Sequence, residues 1–84
     1  MIKKTVKVEI PTGLEARSVA VAVQIASKYE SDIYFEVETK KVNAKSIMGM
    51  MTLGVNAGEE VTLCAEGADE EAALAEMENY LTQK

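Results

Sequence analysis

The hydrophobic period of this chain switches repeatedly between two values, and that switching limits the folds open to it. Val6, Val8 and Ile10 alternate with Thr5, Lys7 and Glu9, which predicts a half-buried strand stopped by Pro11 and the turn at Thr12-Gly13. From Ala16 to Lys28 the period lengthens, and Val19, Ala22, Val23 and Ala26 fall on one helical face directed at the core. The other faces of that helix (Ala20, Val21, Gln24, Ile25) are poor in charge, the pattern expected where a partner covers part of a surface helix. Ile33, Phe35 and Val37 alternate with Tyr34, Glu36 and Glu38 in a second strand, and a turn at Glu38-Thr39-Lys40 leads to a short strand at Lys41-Val42-Asn43. The segment from Ser46 to Leu53 is too short for a free-standing helix and reads as one or two turns docked on the sheet.

Gly54 and Gly58 bracket a loop, after which Val61, Leu63 and Ala65 form a last strand with Thr62 and Cys64 on its other face. Asp69 is placed to cap a final helix whose first turn carries Glu70 and Glu71, suited to the positive end of the helix dipole. Leu74, Met77 and Leu81, with Ala73 beside them, supply its inward stripe. The resulting order is βαββαβα, an α+β chain with an antiparallel sheet buried on one face by helices. Its 84 residues, without repeat, linker or low-complexity stretch, are expected to form one domain spanning 1–84. Periodicity alone leaves ferredoxin-like arrangements open.

Composition removes several functions. A net charge of −5 leaves no cationic excess to displace phosphate counterions, so direct nucleic-acid binding is disfavoured. No apolar run is long enough to span a bilayer and no signal-peptide pattern opens the chain, so no membrane association is expected and a cytoplasmic location is the default. The single cysteine, Cys64, has no internal disulfide partner and reads as a small hydrophobe. With no histidine in the chain, neither a zinc site nor a Ser/His/Asp constellation is expected. The scattered glycines form no phosphate cradle, the acidic run from Glu66 to Glu71 reads as a solvated face, and no cofactor is implied.

Two segments carry a resemblance. Thr12-Gly13-Leu14-Glu15-Ala16-Arg17-Ser18 resembles the active loop of the HPr family, small histidine phosphocarriers of the bacterial sugar phosphotransferase system, with glutamate where the histidine stands. Lys41-Val42-Asn43-Ala44-Lys45-Ser46-Ile47-Met48-Gly49-Met50-Met51-Thr52-Leu53-Gly54 resembles the regulatory serine region of the same family. The resemblance covers essentially the whole chain. It implies the HPr-like open-faced β-sandwich, a four-stranded antiparallel sheet covered on one face by helices, and a regulatory, non-enzymatic member of the histidine-less branch.

In the family the histidine sits just before the first helix, where exposed N–H groups and a positive dipole end attract anions. The arginine at the position of Arg17 adds a fixed charge with bidentate geometry. Imidazole accepts and releases phosphate near neutral pH, whereas a carboxylate forms acyl phosphates only in enzymes built for that step. The chain is therefore expected not to accept phosphate from the phosphoenolpyruvate-dependent enzyme at Glu15. Glu15 reads either as a solvated loop residue or as an incomplete mimic of phosphohistidine. Ser18 departs from the proline usual in the family, and a serine there can cap the helix start locally.

Ser46 precedes the short apolar segment, so its hydroxyl is expected to cap free N–H groups at the start of a helical turn. Phosphorylation there adds roughly −1.5 to −2 charge without burying it. By resemblance, the modifying enzyme is HPr kinase/phosphorylase and the partner of the modified form is a LacI-type catabolite control protein. The expected contact surface comprises Arg17, Ala20, Gln24, Ile47, Met48 and Met51, while Met50 and Leu53 are expected in the core. Five methionines in so short a chain, three of them between 48 and 51, fit an adaptable binding surface. Lys45 stands beside the serine either to steady a phosphate or as a solvated lysine. The alternative function is a constitutive module binding through Ile47, Met48 and Met51 without phosphate. Strand exchange or dimerisation at a sheet edge remains open on sequence grounds.

Overall fold

The computed structural model describes residues 1–83. Its elements run β1 (Ile2–Lys7), α1 (Ala16–Ser27), β2 (Asp32–Val37), β3 (Lys40–Asn43), α2 (Ile47–Met51), β4 (Glu60–Glu66) and α3 (Glu70–Leu81). The four strands form one sheet in the order β1-β4-β2-β3, every neighbouring pair antiparallel. β4 thus enters between β1 and β2, and β1 and β3 are the edges.

Register explains the two faces. Val61, Leu63 and Ala65 of β4 lie level with Ile33 and Phe35 of β2 and with Val6 of β1, and these side chains are buried beneath the helices. The alternate positions, among them Lys3, Thr5, Tyr34, Glu36, Lys41, Thr62 and Cys64, form the uncovered face. That face is tied across strands. Thr5 and Thr62 share a hydrogen bond of 2.9 Å, Lys3 pairs with Glu36 at 3.7 Å, and the Lys41 ammonium lies 4.7 Å from the centre of the Tyr34 ring.

Two local expectations are corrected. The first strand starts earlier than its alternation suggested and its regular pairing ends at Lys7, because β1 runs the full length of β4 from Ile2 opposite Ala65 to Lys7 opposite Glu60. Val8 is nevertheless held by the N–H it donates to Glu59 O (2.8 Å) and the N–H it accepts from Gly58 (2.7 Å). In α1, Ile25 is buried and Val23 only half-buried, the reverse of the expected facing. The helix packs against both α2 and α3, and its buried residues are Ser18, Val19, Ala22, Ile25 and Ala26. Cys64 lies on the uncovered face yet is fully buried, since β4 is a central strand with neighbours on both sides.

The stripe of α3 is as the spacing predicts: Ala73, Leu74, Met77 and Leu81 are buried against the sheet. α2 is a five-residue helix that places Met50 in the core.

Candidate functional site

The first motif occupies the entry to α1. Gly13 has φ +70, a left-handed conformation, and a Cβ placed on it meets Val55 O at 2.7 Å and Ala57 N at 2.9 Å. Only glycine lets the loop lie this close to the chain following α2. Leu14 then donates its N–H to Val55 O (2.8 Å), so the Glu15 loop rests on the Val55–Ala57 segment. Glu15 occupies the N-cap position with extended backbone, and its carbonyl accepts the Val19 N–H at 2.7 Å. The Ser18 hydroxyl accepts the Glu15 N–H at 2.9 Å and donates to Gly13 O at 2.7 Å. A serine therefore closes the turn that a proline would preset by ring geometry, and Ser18 is buried in doing so. Glu15 and Arg17 remain exposed, and Arg17 forms no ion pair among the described residues.

The second motif forms the corner between β3 and α2. Asn43 Oδ1 accepts the Lys45 N–H at 2.8 Å and Asn43 O accepts the Ser46 N–H at 3.0 Å, a turn that aims the chain into α2. Ser46 is exposed in extended backbone at the N-cap of α2, and its hydroxyl oxygen accepts the Gly49 N–H at 3.2 Å. Its carbonyl accepts the Met50 N–H at 2.9 Å. The expected capping role of this hydroxyl is thus present.

Around Ser46 the apolar side chains divide sharply. Met50 and Leu53 are buried, whereas Ile47, Met48 and Met51 are exposed to 49%, 80% and 52%. With Met1 they make up all the exposed large hydrophobic side chains of the described residues. α1 packs against α2, so this patch and the Glu15–Arg17 loop lie on adjoining elements. On α1, Gln24 is exposed and Ala20 half-buried. Lys45 is not the freely solvated lysine of one expectation. It is half-buried, and its ammonium donates to the carbonyl of Tyr29 at 2.7 Å.

Sequence reasoning missed two residues that shape these motifs, Val55 and Tyr29. Each acts through its backbone carbonyl, and a carbonyl partner leaves no side-chain signature to read. Tyr29 also donates its hydroxyl to Glu76, which in turn pairs with Lys28. The Glu76 carboxylate holds the Tyr29 hydroxyl above its ordinary pKa, while Lys28 first and Tyr29 second hold Glu76 below its own.

Residues 2–83 match the family described as the PTS HPr component phosphorylation site. The chain is 48% identical over 84 residues to the HPr-like protein Crh of Bacillus subtilis, covering 100% of this chain and 99% of that protein. Among solved structures, the phosphocarrier protein HPr of Bacillus anthracis superposes with a TM-score of 0.92 at 42% identity, with 95% of each chain covered. The crystal structure of Bacillus subtilis Crh, described as a domain-swapping dimer, gives a TM-score of 0.77 at 49% identity over 96% of this chain and 93% of that one. From one end to the other, then, the sequence and its open-faced fold belong to the HPr family, as a Crh-like paralogue without histidine.

Proposed function

We propose that this protein is a non-enzymatic regulator whose partner binding is gated by phosphorylation of Ser46. The observation that carries this reading is the placement of an exposed Ser46 hydroxyl beside Ile47, Met48 and Met51, the large apolar side chains that the fold leaves outside its core. A phosphate there offers charge-assisted hydrogen bonds to basic groups of a partner, and the flanking side chains offer apolar anchors. By kinship with HPr and Crh, the modifying enzyme is HPr kinase/phosphorylase, and the partner is a LacI-type catabolite control protein for which the modified form is a corepressor in carbon catabolite repression. Arg17, Ala20 and Gln24 border the contact from α1. The reading places the protein in the cytoplasm, as a single HPr-like domain over 1–84. Glu15 has no part in phosphate transfer.

A second reading follows from the same exposure. The patch is already uncovered with Ser46 unmodified, which suits a constitutive module binding through Ile47, Met48 and Met51.

Intact mass after incubation with ATP and HPr kinase/phosphorylase, comparing wild type with Ser46→Ala, separates the two. The first reading requires one added phosphate that the variant lacks, and tighter repressor binding by the phosphorylated form. Absence of the added mass, where a histidine-bearing HPr is modified in parallel, transfers support to the constitutive module.

A further inference from the structure

The cation nearest to Ser46 along the chain is engaged, but only by a neutral group. Lys45 Nζ donates to the carbonyl of Tyr29 at 2.7 Å. Tyr29 lies just beyond α1, a helix with no basic residue in its last turn, so Lys45 brings a positive charge from another element to that carbonyl-rich end. The same corner anchors α3. Glu30 and Ser31 donate their N–H groups to Asp69 at 3.0 and 2.9 Å, and the Tyr29 hydroxyl bonds Glu76.

Resting on Ser46 as the modified residue, we propose that phosphorylation draws the Lys45 ammonium from the Tyr29 carbonyl to the phosphate and so loosens the Tyr29–Ser31 corner. The competition is unequal. A neutral carbonyl offers one hydrogen bond, whereas a phosphate carrying roughly −1.5 to −2 charge offers charge-assisted bonds about twice as strong. Lys28, at the same corner, is already paired with Glu76 and would have to leave a carboxylate to respond. Lys45 breaks no ion pair when it moves, and a flexible four-carbon stem lets its ammonium swing towards the adjacent residue. Tyr29 O then loses its side-chain donor, and the modification state of the serine is transmitted to the junction of α1, β2 and α3.

The test is amide hydrogen exchange on full-length protein with phosphoserine built in at position 46 during synthesis, in wild type, Lys45→Met and Lys45→Arg. Phosphoserine in the wild type accelerates exchange at Tyr29, Glu30 and Ser31 by roughly threefold or more, the scale of one lost hydrogen bond. Lys45→Met exchanges faster there before modification and gains nothing further from the phosphate, whereas Lys45→Arg keeps the response. Unchanged rates in the phosphorylated wild type, or an equal acceleration in Lys45→Met, overturn the proposal. Because the phosphoserine is introduced synthetically, failure of the kinase assay bears on the proposed function alone.

Discussion

Asp69 stands at the N-cap of α3, yet its carboxylate is taken up by Ser31, thirty-eight positions earlier, whose N–H it accepts at 2.9 Å and whose hydroxyl also bonds it. Glu30 donates a further N–H to the same carboxylate at 3.0 Å. A residue positioned to cap its own helix instead joins that helix to the start of β2. The helix start is closed locally by the bond from Gly67 N–H to Glu70 Oε1 at 3.0 Å.

This relationship predicts an acid-labile junction. The Ser31 hydroxyl, then the backbone N–H groups, hold the Asp69 carboxyl below its ordinary value. A carboxyl with a depressed folded-state pKa stabilises fully above its unfolded value, and that contribution fades as pH falls through the lower, folded value. Asp69→Asn is therefore expected to melt below wild type at neutral pH, with the gap closing in acid. Thermal melts of both proteins across that range check this, and a gap independent of pH refutes it. Glu76 is also depressed, so the wild type alone does not isolate Asp69.

The closeness of Gly13 to Val55 gives a graded pair of substitutions. Gly54 has φ +64 with open space about it, so Gly54→Ala meets only the left-handed backbone cost of about 1–2 kcal/mol. Gly13→Ala meets that cost and a backbone oxygen at 2.7 Å, which adds about 1–3 kcal/mol of strain. Denaturant unfolding should rank Gly13→Ala clearly below Gly54→Ala. Equal destabilisation would show that the loop moves aside freely.

Neighbouring methionines should behave oppositely. Met50 is fully buried, so Met50→Ala leaves a cavity and costs about 2–5 kcal/mol of stability. Met48 is 80% exposed, so Met48→Ala changes stability by no more than about 0.5 kcal/mol. Under the proposed function Met48→Asp costs about 2 kcal/mol or more of partner affinity, the scale of an interface anchor. Unfolding curves beside titration calorimetry with the repressor separate the two effects, and a Met48→Asp protein that binds normally removes Met48 from the interface.

What was legible in the sequence was local and periodic. The order βαββαβα follows from the alternation of strand and helix periods, and the stripe Ala73–Leu74–Met77–Leu81 from spacing along one helix, whereas the division of Met50 and Leu53 from Met48 and Met51 was read with the help of the motif resemblance. The misreadings arose where the deciding partner is remote. The first residues of β1 carry no alternation and become a strand because β4 lies alongside. Ile25 is buried on a helix that packs against both α2 and α3, and spacing within α1 does not encode those contacts. Asp69 stands at the N-cap as its position suggested, but its carboxylate bonds a residue 38 positions away, and Lys45, read as a phosphate partner or a solvated lysine, bonds a carbonyl 16 positions away. The glutamate at 15 and the serine at 46 were legible through motif resemblance; the Tyr29 and Val55 carbonyls that brace their surroundings were not.

Cys64 supplies a last expectation, about chemical inertness. Its thiol donates to Glu36 Oε2 at 3.0 Å on the uncovered sheet face, and Lys3 approaches the same oxygen at 3.7 Å. Burial first, then the bond to Glu36, pushes the thiol up to about 11, so little thiolate exists near neutrality. Relative to an ordinary cysteine with a pKa near about 8.5, alkylation of the native protein at mildly alkaline pH should be slower by roughly a hundredfold. Glu36→Gln removes the lesser cause and should raise the rate modestly, whereas unfolding in urea removes both and should restore the ordinary rate. Timed iodoacetamide labelling followed by mass measurement distinguishes these cases. A native rate matching the unfolded one would mean that the sheet face opens freely at β4, contrary to the packing that buries this thiol between its neighbouring strands.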